Sequence, residues 1–345
     1  MRRSLTVALA TATVLGAAAY PVAASSDRGP GLENCTGTAP VVCHFDVPPG
    51  TYTVTAELGG DTPGSTAVMA ETRRAMLPET ATGAGERLNR SFTVDVRNPE
   101  GEPLGPPGNP GLDLTFTGAA PRLGAVRVTP AKTPRLLVIG DSTACDQQNA
   151  PYAGWGQQLP QFLGRGISVA NYADSGESTV TWLDNPALFA AVRPQIRTGD
   201  LVLIQLAHND KETDAATYRE NLTTLVEGVR AEGGDPVLLT PIVRRWFSPD
   251  GTLNNDTALL VNGLGVNHPA EVRGVAVALD TPLIDLTALT KARVEGLGVE
   301  GSKPLYLYDE KRDNTHTSKR GATEYAAMVR DELQRQGLLR ERDVS

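Results

Sequence analysis

Four short runs in this sequence carry residue types suited to acyl transfer: Gly140-Asp141-Ser142-Thr143, Asp174-Ser175-Gly176-Glu177, His208-Asn209-Asp210 and Asp313-Asn314-Thr315-His316. A serine hydroxyl is a weak nucleophile and needs a general base within hydrogen-bond reach. His316 offers that base to Ser142, and Asp313, three residues earlier, can accept the second ring N–H and orient the imidazole. The tetrahedral intermediate also needs donors aimed at its developing negative oxygen. In this reading the donors are the backbone N–H groups of Ser142 and Gly176 and the side-chain amide of Asn209. Each run is a weak signal alone, because Gly-Asp-Ser also makes turns and Asp-x-x-His also caps helices. Their joint occurrence, each after an expected strand, is the strong signal.

The elements that must position these residues follow from the apolar runs. Arg135–Ile139, Ile167–Tyr172, Leu201–Leu206, Pro236–Ile242 and Pro282–Leu286 are nearly continuous in apolar residues, as strands covered on both faces are. Helical patterns lie between them, for example 213–232 and 271–279, and a last helix is expected over 319–336. Strand–helix alternation of this kind predicts an α/β domain with a doubly wound parallel sheet of five strands over residues 134–338. Ligands in such sheets bind beyond the carboxyl ends of the strands, where the four runs fall. The stretch before Ala131-Lys132-Thr133-Pro134 reads differently. Short alternating runs (Thr51–Glu57, Ser91–Val96, Leu112–Phe116) separated by Pro/Gly turn clusters predict a small all-β sandwich over 32–130. No catalytic constellation is expected in it.

Gly140-Asp141-Ser142, Gly176, Asn209 and Asp313-x-x-His316 resemble the four blocks of the SGNH (GDSL-like) hydrolase superfamily. Gly140-Asp141-Ser142-Thr143, His208-Asn209-Asp210 and Asp313-x-Thr315-His316 are similar to its rhamnogalacturonan acetylesterase branch. The resemblance covers residues 134–338 and implies a flavodoxin-like sheet, a Ser142 nucleophile, a His316 base, an Asp313 orienter and removal of acetyl groups from pectic polysaccharide. Residues before 130 resemble the galactose-binding type of β domain that accompanies such esterases. One departure is Ala207, where the branch usually has Gly before His-Asn-Asp. Trp182 stands where an aromatic of the branch often follows the second block, as a sugar-stacking wall or as a buried packing residue. Together with His208, read as structural or pocket-lining, it is a candidate substrate-binding residue.

Other residues are read more plainly. Asp141 is expected to cap the following helix, and Asp174 and Asp210 to order their loops. Cys145 reads as a small buried thiol, and His44 and His268 as surface or packing residues. Gly296-x-Gly298-x-x-Gly301 fits a dinucleotide pattern but follows a helix rather than a strand. No Gly-x-Ser-x-Gly occurs, against an α/β-hydrolase elbow. Neither Cys-x-x-Cys nor His-Glu-x-x-His occurs, so no metal and no cofactor is expected.

The chain has 345 residues, 40% of them hydrophobic and 21% charged, with a formal charge of −8. That is ordinary globular composition. Without a concentrated basic face, nucleic acid and anionic membranes are excluded as expected partners. Residues 1–24 read as a signal peptide, with Arg2 and Arg3 before an apolar stretch too short to span a bilayer. Secretion to the extracellular space is therefore expected, and it favours a disulfide between Cys35 and Cys43. The resulting expectation is a secreted carbohydrate O-acetylesterase acting on an acetylated polysaccharide. Its rivals are an SGNH lipase or general carboxylesterase, and an inert carbohydrate-binding protein. The oligomeric state is left open.

Overall fold

A computed structural model describes residues 29–344, so the expected signal peptide lies outside the described residues. The first eight strands are β1 (Cys35–Thr36), β2 (Val41–Phe45), β3 (Gly50–Gly59), β4 (Gly64–Ala70), β5 (Arg74–Thr82), β6 (Arg87–Val96), β7 (Leu112–Ala120) and β8 (Leu123–Pro130). They form two antiparallel sheets, β1-β2-β7-β4-β5 and β6-β3-β8. Burial alternates strictly along β4, because successive side chains of a strand point to opposite faces. Val54, Leu58, Phe92, Leu114 and Phe116 thereby meet in one core. Cys35 and Cys43 face each other across β1 and β2 and are joined by a disulfide. The runs read from the sequence lie within β3, β6 and β7. Strand β5 escaped that reading because Pro78, Glu79 and Thr80 break its pattern; it is an edge strand, where proline is tolerated.

Beyond residues 131–134, β9 (Arg135–Gly140), β10 (Ser168–Asn171), β11 (Leu201–Gln205), β12 (Asp235–Leu239) and β13 (Leu283–Ile284) build a parallel sheet in the order β10-β9-β11-β12-β13. This is the flavodoxin-like doubly wound arrangement. Its helices are α1 (Trp155–Gln158), α2 (Thr179–Asp184), α3 (Phe189–Val192), α4 (Ala215–Ala231), α5 (His268–Ala278), α6 (Leu286–Gly301), α7 (Tyr308–Lys311) and α8 (Lys319–Arg335). Leu136 and Val138 of β9 pack on one face with Tyr325 and Val329. Leu137 and Ile139 pack on the other with Leu222 and Val229. Burial on both faces explains the unbroken apolar run.

Two strands are shorter than the runs suggested. Beyond Leu239, Pro241 has no N–H to give a ladder. Beyond Ile284, the carboxylate of Asp285 accepts from Ala288 N–H at 3.2 Å and starts α6 instead. Gly298 lies inside that helix with φ 69°, which kinks it, and no strand precedes it.

The two sheet systems meet at a buried ion cluster. Asp146, fully buried, lies 2.9 Å from Nε of Arg74 and 3.2 Å from Nη2 of Arg97, and accepts from Asn171 Nδ2 at 2.7 Å. Among the described residues no helix is long and apolar enough to cross a membrane.

Candidate active site

The four loops converge beyond the carboxyl ends of β9, β10 and β11. Ser142 follows β9; Gly176 lies between β10 and α2; Asn209 follows β11; His316 precedes α8. Ser142, Gly176, Asn209 and His316 line one open cleft with Gln147, Asn149, Tyr152 and Ser175.

Within it, Oγ of Ser142 lies 3.0 Å from Nε2 of His316. Nδ1 of the same ring lies 2.7 Å from Oδ2 of Asp313. The Asp313 Oδ1 atom accepts from the backbone N–H of Thr315 at 2.7 Å and of His316 at 3.0 Å. Burial raises this carboxyl, but the ring N–H of His316 and those backbone donors outweigh it and bring its pKa to about 2. Asp313 is therefore an anion throughout the working range and fixes the proton of His316 on Nδ1. Nε2 is then a lone pair facing the Ser142 hydroxyl.

Local chemistry explains why the loops stop where they do. Asp141 Oδ1 accepts from the backbone N–H and hydroxyl of Thr143 at 2.9 and 2.7 Å. It closes a turn rather than capping a helix, since no helix begins there. Gly176 has φ 89° with no atom within 4 Å of an added Cβ, so backbone conformation rather than space calls for glycine. The residue after His316 is tied down as well: Thr317 Oγ1 donates to Ala153 O at 2.6 Å. Gly321, at the start of α8, packs so close to Leu305 O that a Cβ would fall 1.9 Å from it.

The N–H groups of Ser142 and Gly176 donate to no protein acceptor among the described residues. Asn209 Nδ2 gives one hydrogen to Glu177 O at 3.0 Å, and its second amide hydrogen is available to the cleft.

The two candidate substrate residues are corrected. Trp182 is fully buried and donates its indole N–H to Gly140 O at 3.0 Å. It packs under the strand end and offers no face for a sugar. His208 is only 2% exposed and does not line the Ser142 cleft. Its Nδ1 meets Asp141 Oδ2 at 3.1 Å, and the ring lines a separate cavity on the other side of its loop. Ala207 lines that cavity and not the Ser142 cleft. Cys145 is fully buried, and burial pushes its thiol well above the usual range. His268 is buried against Tyr218, whereas His44 is half-exposed beside Asp113.

Several residues at the site carried no sequence signal. Gln147 Nε2 donates to Ser142 O at 2.8 Å, and Tyr152 meets the His316 ring edge-on at 5.5 Å. Arg245 holds the loop before His316 by donating its backbone N–H to Asn314 O at 2.7 Å and Nη1 to Asn314 Oδ1 at 3.0 Å. The β domain, from which no site residue was expected, supplies three more. Glu102 accepts from Ser175, and Leu104 N–H donates to Asp174 at 2.6 Å. Arg73 donates to the carbonyls of Gln147 and Tyr152 at 2.9 and 3.1 Å. None stands in a motif, because each acts across a fold boundary. Among the described residues no cluster of three or more His, Cys, Asp or Glu has a metal-holding arrangement.

Comparison with known proteins agrees with the α/β fold of the hydrolase half. The profile of the GDSL-like Lipase/Acylhydrolase family matches residues 138–324. The chain is 34% identical over 220 residues to a rhamnogalacturonan acetylesterase, RhgT, of Bacillus subtilis (strain 168), covering 59% of this chain and 91% of that protein. It is 28% identical over 304 residues to the uncharacterized esterase YxiM of the same organism, covering 86% and 74%. The crystal structure of YxiM superposes with a TM-score of 0.54 at 24% identity over 89% of each chain, a likeness of fold that reaches through the β domain.

Proposed function

The chain belongs to the GDSL-like lipase/acylhydrolase family, and from that premise we propose that it is a secreted serine esterase that removes O-acetyl groups from a plant cell-wall polysaccharide of the pectic type. The observation that carries this reading is the line of contacts from Ser142 Oγ through His316 to Asp313, at 3.0 and 2.7 Å. In the proposed reaction His316 Nε2 takes the proton of Ser142 as Oγ attacks the acetyl carbonyl. The N–H groups of Ser142 and Gly176 and the amide of Asn209 receive the oxyanion. The imidazolium, steadied by Asp313, then protonates the departing sugar oxygen. Water activated by the same ring releases acetate and restores Ser142.

The substrate class rests on two supports. Similarity to a rhamnogalacturonan acetylesterase is one. The other is the cleft wall of Gln147, Asn149, Ser175 and Asn209, which suits a hydroxyl-bearing ligand better than a long acyl chain. An organophosphonate should label Ser142, and para-nitrophenyl acetate should be cleaved faster than the octanoyl ester. Preference for octanoyl would favour a lipase; no labelling would favour an inert sugar-binding protein.

A further inference from the structure

Tyr152, on the loop between β9 and α1, lines the Ser142 cleft beside His316. The two rings stand perpendicular, with centroids 5.5 Å apart, and form a corner of the cleft wall. The phenol hydroxyl is not buried and has no protein partner among the described residues. Gln147, Asn149, Ser175 and Asn209 make the rest of the wall polar, so Tyr152 supplies its main apolar surface.

The chemistry fixes which part of an ester meets that ring. The acyl oxygen belongs with the proposed donors Gly176 and Asn209, whereas the departing oxygen must lie against His316 Nε2, which protonates it. A ring packed on His316 therefore faces the alcohol part of the substrate. In the proposed reaction that part is a sugar, whose ring presents C–H groups on its faces and hydroxyls at its rim. A tyrosine matches both, with an apolar body and a polar tip.

The β domain holds Tyr152 where it is. Arg73, on the turn between β4 and β5, donates from Nη1 to Tyr152 O at 3.1 Å and to Gln147 O at 2.9 Å. Its neighbours reach the same segment: Thr72 O accepts from Gln157 Nε2 at 2.8 Å, and Arg74 Nε lies 2.9 Å from Asp146. Glu71 and Arg73 have φ 51° and 57°, a left-handed conformation that costs free energy in residues with a Cβ. Arg73 forms no ion pair with a carboxylate among the described residues, so its guanidinium serves the two carbonyls. We propose that Tyr152 stacks on the sugar ring that carries the acetyl group, and that Arg73 is its positioning residue. Substrate preference is then set in part from the β domain. The proposal rests on the esterase reading and deepens it.

The test compares kcat/KM on an acetylated pectic oligosaccharide with kcat/KM on ethyl acetate, whose alcohol has no ring. Tyr152→Ala should lower the ratio of the two about tenfold, the order of a lost aromatic contact, and Tyr152→Phe should keep most of it. Arg73→Ala should lower the same ratio, with little further loss in the Tyr152→Ala background, as residues acting through one contact do. Arg73→Lys should recover part of it. Because the ratio is read within each variant, a misfolded fraction cancels. A ratio unchanged in Tyr152→Ala would overturn the stacking, and losses that multiply in full in the double variant would overturn the positioning role. Failure of the esterase reading looks different: the wild type would leave ethyl acetate intact, or Ser142→Ala would cleave it equally.

Discussion

Glu102, on the β6–β7 loop of the β domain, accepts from the backbone N–H of Ser175 at 2.9 Å and from its hydroxyl at 3.1 Å. Ser175 directly precedes Gly176, so a residue outside the hydrolase sheet holds the loop that presents a proposed oxyanion donor. The β domain is part of the site's scaffold.

Removing that brace should act on turnover. Glu102→Ala is expected to lower kcat about 10- to 100-fold, because small misplacements of a donor are felt in the transition state, with a smaller change in KM. Glu102→Gln keeps an oxygen acceptor and should recover part of the loss. Steady-state kinetics on an aryl acetate checks this, and a change confined to KM would contradict it.

The oxyanion and orienting roles predict two further losses. Asn209→Ala removes one donor and should cost about 10²–10³ in kcat. Asp313→Asn leaves the ring without its carboxylate and should cost about 10³–10⁴. Thermal melts of both variants should stay near the wild type, which separates catalytic loss from unfolding.

The acid limb of the activity profile should belong to His316. Asp313, with its pKa at about 2, stays ionised across the usable range, so the loss on acidification comes from a ring that can no longer accept the Ser142 proton. A pH–rate profile on an acetyl ester measures this. Undiminished activity at about pH 4 would contradict the base role.

Asp174 carries a pH effect on stability. Burial, above all, and the neighbouring charges of Glu102 and Glu177 raise its carboxyl to about 7 despite the Leu104 N–H. A carboxyl whose folded pKa lies above its unfolded value binds protons more tightly when folded. Stability is therefore lost as pH rises from about 4 to about 7 and stays reduced above that. Asp174→Asn keeps the acceptor and removes the charge, so it should melt higher than the wild type at about pH 8 and equal to it at about pH 4. Denaturation at both pH values decides; equal melting at both would refute it.

Asp146 joins the two halves of the molecule. Replacing it with Ala strands Arg74 as a buried unpaired cation and leaves Arg97 only Asp95, 3.6 Å away, and deleting one partner of such a cluster costs about 3–5 kcal/mol. Urea unfolding should show that loss in both sheet systems at once, since the cluster spans them.

The hydrolase half was readable in outline because its physics is local. Strands buried on both faces must be continuously apolar, and the catalytic types recur just past them. The order of Ser142, Gly176, Asn209 and His316 along the chain, and their place at strand ends, followed from that. Residues acting at a distance left no such mark. Trp182 had the right type and position for a sugar platform, yet its indole N–H is spent on Gly140 O and the ring fills the core. Nothing near Glu102 or Arg73 in the chain hints at Ser175 or Gln147.

By itself, then, the sequence determined which elements form and which chemistry the loops bear, because periodicity and residue type are properties of short stretches. Only the tertiary structure decided which side of the 207–211 loop meets Ser142, which side closes over Arg244, and that the β domain braces the loop of the proposed oxyanion donor Gly176. Those outcomes depend on contacts between segments dozens of residues apart, whose free energy no local pattern encodes.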